Sequence, residues 1–170
     1  MNLIIGVHMA GERCDPATIL WLQKGLPSHV LINDSWWQTE TGHHISGNNL
    51  KIYKFPVVPG SATRPLPGFN VQIIDEDTDE LITEPGVMGK VVIKLPLPPS
   101  FMVTLWESDK AFVDKYISED HKYYISGDAG FFDKEGYLHI MTRIDDIIKV
   151  AAHRLSTGRI EEVINNLNYQ

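Results

Sequence analysis

The sequence predicts a mixed α/β fold: a β-α-β piece over residues 1–42, followed by an antiparallel sheet or open barrel over 43–144. Three observations predict it. Two apolar strands flank a helix that proline starts, with short connections between them. Periodicity then lapses across a stretch rich in proline and glycine. Alternating strands and hairpin punctuation follow.

Leu3 to Met9 reads as a strand, so that an apolar segment opens almost at the first residue, as inside a fold. Asp15-Pro16 supplies an N-cap and a proline at the first helical position, where its missing N–H costs nothing. A helix of about ten residues is expected, with Ile19, Leu20 and Leu22 turned inward and Gly25 near its end. His29 to Asn33 reads as a second buried strand. Short connections favour parallel pairing, which places a ligand crevice at the strands' carboxyl ends, where Asp34 to Gly42 lie.

Residues 43–67 hold Gly47, Pro56, Pro59, Gly60, Pro65 and Pro67, and read as loop with short strand. Strands are expected at Val71 to Asp75, near Leu81-Ile82, and at Lys90 to Leu95, the last giving only Val91, Ile93 and Leu95 to a core. Trp106 to Ile117 fits a helix and Lys122 to Ile125 a strand. Phe131-Phe132 and Tyr137 to Met141 flank Asp133-Lys134-Glu135-Gly136 as a hairpin. A β pair, Ile147 to Val150 and His153 to Leu155, then leads into a helix near Gly158 to Asn166.

Composition sets outer bounds. A 170-residue chain, 43% apolar and 22% charged, can bury about 70% of its unfolded surface, and collagen, coiled coil and disorder are excluded. Cys14 alone rules out a disulfide framework or a cysteine-rich zinc site. A formal charge of −7 is the wrong sign for gripping nucleic acid with the whole surface. No apolar run reaches the roughly 20 residues of a spanning helix, and the first residues carry no targeting signal.

Trp36-Trp37-Gln38-Thr39-Glu40-Thr41-Gly42 is the most informative string. A tryptophan pair serves either packing or a site, and its place after a buried strand favours the site. Thr39 and Thr41 can donate to phosphate oxygens, and Glu40 can hold a hard cation. Asp128, in Ser126-Gly127-Asp128, either caps a turn or accepts ribose hydroxyls. Arg143 and Arg154 are either solvated or converge on a phosphate. The carboxylates of residues 75–79 lack a calcium loop's glycine and final glutamate, and His43-His44 diverge too far for one metal.

Taken with Ala10-Gly11-Glu12-Arg13, Pro59-Gly60-Ser61, Lys94-Leu95-Pro96-Leu97-Pro98-Pro99 and Arg143-Ile144-Asp145-Asp146, these strings resemble the short-chain acyl-CoA synthetases. These are the AMP-forming acetyl- and propionyl-CoA synthetases of the adenylate-forming superfamily. The resemblance runs from about residue 3 to residue 168 and implies a central fragment. Residues 1–144 would belong to the large AMP-binding domain, and 145–170 would be a hinge and the start of the small C-terminal domain.

It also implies roles. Gly11, Glu12 and Arg13 would lie along adenine, and Asp34, Ser35, Trp36, Trp37, Gln38 and Thr39 would wrap the nucleotide, with Thr39 at the α-phosphate. Glu40 would support Mg²⁺, Trp37 would wall the acyl pocket, and Asp128 would hold the ribose beside Arg143. Arg154 would reach phosphate, Asp145 would be the hinge, and Ala151 and Ala152 would adjoin the coenzyme A tunnel. The implied ligands are ATP or AMP, Mg²⁺, coenzyme A and a short carboxylic acid, and the implied compartment is the mitochondrial matrix or cytosol. Nucleic acid and membrane are not expected partners.

The family's phosphate loop and its C-terminal lysine have no counterpart in these residues, so adenylation by them alone is not expected. Ala151-Ala152 replaces a family glycine, where a methyl group would crowd the tunnel. Thr63 replaces another, read as a loop variation of little consequence. The alternative is a catalytically dead nucleotide-binding or protein-interaction module.

Overall fold

The structure, a computed structural model, describes residues 3–49, 52–150, 153–155 and 157–167. Strands β1 (Gly6–Met9) and β2 (Leu31–Asp34) pair in parallel, Gly6 beside Leu31 and Met9 beside Asp34, with α1 (Pro16–Gly25) crossing between them. The Asp15 carboxylate accepts the Ala17 and Thr18 N–H groups at 3.0 and 3.4 Å, which fixes where α1 begins. Ile19 is the buried residue of α1. Leu20, expected to turn inward, is 47% exposed. A sheet of two strands is too narrow to cover more than one row of the helix's side chains.

β3 (Trp36–Trp37) folds back antiparallel on β4 (His44–Ser46) around a 3-10 turn, Thr39–Thr41, closed by Gly42 at φ +61°. The larger sheet is antiparallel in the order β5 (Val71–Ile74), β6 (Gly89–Lys94), β7 (Tyr123–Phe132), β8 (Leu138–Arg143). An irregular segment carries it onward. Ala62 N–H donates to Leu138 O at 2.8 Å and Leu138 N–H to Thr63 O at 2.7 Å, while Leu66 N–H donates to Ile45 O at 2.8 Å. The sheet thereby curls from β8 through residues 62–66 to β4, an open barrel in outline. Its core holds Ile45, Val91, Ile93, Tyr124 and Leu138, all fully buried.

Three expectations need correction. Val92 is as completely buried as Val91 and Ile93, so β6 is covered on both faces at its centre. Lys122 to Ile125 and the following hairpin strand are one ten-residue strand. Ser126-Gly127-Asp128 is a bulge inside it: the register slips between Val91 and Val92, and Gly127 takes φ +75°. The second helix, α2 (Asp109–Tyr116), starts late, because the Ser108 hydroxyl caps Ala111 N–H at 3.4 Å and leaves Trp106 outside, 90% exposed.

Thr63 is more than a loop variation. It is buried at φ +65°, a region β-branched residues rarely enter, and its hydroxyl donates to Asp34 O at 3.2 Å. Beyond β8, the 3-10 turn Ile144–Asp146 leads to the antiparallel pair β9 (Ile148–Val150) and β10 (His153–Leu155), then to α3 (Thr157–Leu167). The hydroxyls of Thr142 and Thr157 meet at 3.2 Å and tie α3 to β8.

Candidate functional site

The carboxyl ends of β1 and β2, the β3 strand and the β7 bulge converge on one cleft of about 200 Å³. Its walls include Gly11, Glu12, Arg13, Asp34, Ser35, Trp36, Trp37, Gln38, Asp128 and Arg143, all singled out from the sequence. Thr39 and Glu40 lie in an adjoining recess of about 290 Å³, which shares Gly11, Trp37, Gln38 and Arg143 with the first. Asp145 borders neither; it is exposed on the turn after β8. The side chain of Arg154, and the residues Ala151 and Ala152, lie outside the described residues.

At the centre of the cleft is Asp128. Its Oδ2 accepts the Trp36 indole N–H at 2.9 Å and the Gln38 Nε2 at 2.8 Å, and its Oδ1 accepts Arg143 Nη1 at 3.0 Å. The β bulge makes this possible. Arg143 stands beside Asp128 in register and reaches across the bare backbone of Gly127, where a Cβ would come within 2.4 Å of Nη2. Burial pushes the Asp128 carboxyl up from the ordinary carboxylate range, against Arg143 and the Trp36 and Gln38 donors. One lone pair on Oδ1 remains for a further donor. Asp34 is buried as well, and burial raises it from 3.8 to about 7, with Ser35 N–H and Arg13 opposing.

The WWQTETG turn divides its side chains between site and scaffold. Trp36 is buried, whereas Trp37 is 46% exposed and faces the cleft. Thr41, expected to reach phosphate, is instead fully buried. Its hydroxyl sits 2.8 and 2.7 Å from the Gln38 and His43 carbonyls and accepts Gln38 N–H, closing the turn. Glu40 is partly buried, with Oε1 accepting the Tyr116 hydroxyl at 2.9 Å.

Residues 3–102 match the family described as AMP-binding enzyme. The chain belongs to that family. Among curated relatives, it is 43% identical over 163 residues to "Acyl-CoA synthetase short-chain family member 3, mitochondrial" of Bos taurus, covering 95% of this chain and 23% of the relative. The protein of the same name in Homo sapiens is 44% identical over 160 residues, 93% of this chain and 23% of the relative. "Acetyl-coenzyme A synthetase" of Pyrobaculum aerophilum is 34% identical over 159 residues, 93% and 23% of the two chains. The chain thus spans about a quarter of the length of these relatives, and the resemblance to short-chain acyl-CoA synthetases holds along nearly all of it.

Solved structures agree on the fold. ATP-bound MatB from Rhodopseudomonas palustris superposes with a TM-score of 0.77 at 22% identity, over 93% of this chain and 29% of that one. The anthranilate CoA ligase AuaEII with anthranoyl-AMP gives 0.77 at 21% identity, over 95% and 28%.

Several residues that line the cleft and the recess were given no site role in the sequence. Gly60 and Ala62, read as an ordinary connector, wall the cleft with Ile140, while Lys115 and Tyr116 of α2 and Ser126 wall the recess. The proline-glycine-serine string at 59–61 was a usable cue for the first pair. Nothing local marks Tyr116, which α2 delivers from 76 positions away in sequence.

Among the described residues no three metal-binding side chains cluster. A lone carboxylate such as Glu40 suits Mg²⁺, which keeps waters and takes phosphate oxygens beside one or two carboxylates.

Proposed function

We propose that this chain carries the nucleotide-binding cleft of an AMP-forming short-chain acyl-CoA synthetase, which converts ATP, acetate or propionate, and coenzyme A into acyl-CoA, AMP and pyrophosphate. The observation that carries the reading is the convergence of Trp36, Gln38 and Arg143 on the buried Asp128 in the wall of this cleft.

A ribose hydroxyl donates to Oδ1 of Asp128. Adenine lies along Gly11, Glu12 and Arg13 and meets Asp34, Ser35 and Trp36. The α-phosphate enters the recess, where Thr39 donates and Arg143 supplies positive charge. Glu40 would hold Mg²⁺ there, which neutralises phosphate charge when bound. Trp37, half exposed at the junction of cleft and recess, walls the acyl group, and an indole there limits the chain to two or three carbons.

Residues 1–144 act as part of the large domain and 145–170 as a hinge at Asp145 and the start of the small one, with Arg154 reaching phosphate and Ala151-Ala152 beside coenzyme A. The compartment follows the relatives, mitochondrial matrix or cytosol.

Calorimetry with AMP, GMP and inorganic phosphate on the full chain tests the reading. AMP should bind at least tenfold more tightly than GMP, and Asp128→Asn should weaken both nucleotides while leaving inorganic phosphate unchanged. Equal binding of all three, or none, overturns it.

A further inference from the structure

We propose that Tyr124 is a positioning residue of this site: its hydroxyl fixes which way the Gln38 amide points, and so which lone pairs Asp128 keeps for a ligand. The inference rests on the nucleotide reading of the cleft.

Tyr124 stands behind the cleft, fully buried, and lines neither the cleft nor the recess. Its hydroxyl donates to Gln38 Oε1 at 2.9 Å. An amide has one acceptor oxygen and one NH₂ group, so engaging the oxygen commits the NH₂ to the opposite side. There Nε2 meets two acceptors, Ser126 O at 2.7 Å and Asp128 Oδ2 at 2.8 Å. Turned over, Gln38 would set its oxygen against a carbonyl and a carboxylate and its NH₂ against a hydroxyl. Tyr124 therefore closes a relay of hydroxyl to amide to carboxylate.

Packing does not need that hydroxyl. The ring lies parallel to Tyr116, 2° apart at 5.8 Å, and meets Phe101 edge-on at 4.9 Å. A phenyl ring would satisfy both contacts. Burial, together with Glu40, Tyr116 and Asp128, drives the phenol far above its usual range, with Arg143 alone opposing, so Tyr124 donates at every accessible pH.

The test is a double-mutant cycle in the full chain with AMP as probe: wild type, Tyr124→Phe, Gln38→Met and the pair, each titrated from about pH 4 to pH 8. Arg143 from β8 and Tyr124 from β7 flank Asp128, Glu12, Arg13 and Asp34 line the same cleft, and Glu40 and Tyr116 line the adjoining recess. All of these groups, Asp34 with its own titration at about 7 included, are unchanged in Gln38→Met, so the cycle cancels them. Tyr124→Phe should weaken AMP about five- to tenfold and move the acid limb of binding to higher pH, because Asp128 loses a donor that favours its charged form. In the Gln38→Met background it should do neither.

A purely structural Tyr124 costs the same in both backgrounds and moves no limb, and either result overturns the proposal. The ¹⁵N resonance of the Gln38 side chain separates the two readings. If wild type binds no AMP, the nucleotide reading fails and takes this one with it. If AMP binds but Tyr124→Phe leaves that resonance in place, only this one fails. Should Tyr124→Phe not fold, Gln38→Met alone serves: it removes the amide donor to Asp128 without adding a charge, so an unmoved acid limb overturns the proposal.

Discussion

The indole of Trp36 donates its N–H to the carboxylate of Asp128 at 2.9 Å, joining residues 92 positions apart and binding the β-α-β piece to the larger sheet. Both are buried, so the bond serves the fold as well as the site. Trp36→Phe keeps an aromatic ring but leaves Asp128 Oδ2 with one donor fewer. Urea unfolding should show a loss of about 2 kcal/mol, and the Asp128 carboxyl should titrate higher still. A variant as stable as wild type would mean that the bond contributes nothing net.

Gly127 is the counterpart of this bond on the other side of Asp128. Alanine at φ +75° costs roughly 1–2 kcal/mol for the left-handed backbone. Its Cβ also displaces the Arg143 guanidinium, which must swing away from Ser126 O and Asp128. Because the colliding atom ends a flexible side chain, the fold should survive while AMP affinity falls about tenfold or more, as for loss of a charge-assisted hydrogen bond. Calorimetry beside urea midpoints checks this, and unimpaired AMP binding would remove Arg143 from the ligand's surroundings.

The Asp34 carboxyl makes stability fall with rising pH. Raised by burial from 3.8 to about 7, it holds a proton in the folded chain that the unfolded chain has released. Below the unfolded value both states are protonated and no penalty exists. The penalty grows from there and is complete above about pH 7, at most about 4 kcal/mol. Asp34→Asn removes it. The variant should match wild type near pH 4 and exceed it near pH 8 in urea midpoint, and a gap that does not widen with pH contradicts the assignment.

How much of this was legible depends on where each signal lies. The cap at Asp15-Pro16 and the Asp133 to Gly136 hairpin are local and compact, and the structure places them as read; WWQTETG follows β2 as expected but keeps Thr41 for its own turn. Ser-Gly-Asp has the composition of a turn, but strands on both sides hold it inside β7, where pairing partners override local preference. Leu20 has the right spacing for an inward face, yet a two-stranded sheet offers nothing to cover it. Tyr116 and Tyr124 act through hydroxyls that meet the turn only after the chain folds, and one sequence holds no trace of that meeting.

Gly42 and Gly136 provide a matched pair for separating backbone strain from steric exclusion. Both have positive φ, +61° and +80°, so alanine at either incurs a similar left-handed cost, roughly 1–2 kcal/mol. Their surroundings differ. A Cβ on Gly136 meets nothing within 4 Å, whereas one on Gly42 would stand 2.4 Å from the Ser100 carbonyl oxygen, a backbone atom with no rotamer to retreat into. Gly136→Ala should therefore cost the backbone cost alone. Gly42→Ala should exceed it by about 1–3 kcal/mol, as overpacking does. Relief requires the 3-10 turn to shift, and with it Gln38, whose N–H is held by Thr41. AMP affinity should consequently drop in Gly42→Ala and stay level in Gly136→Ala. Equal urea midpoints for the two variants would show that the turn yields freely and that the close approach of Ser100 does not constrain it.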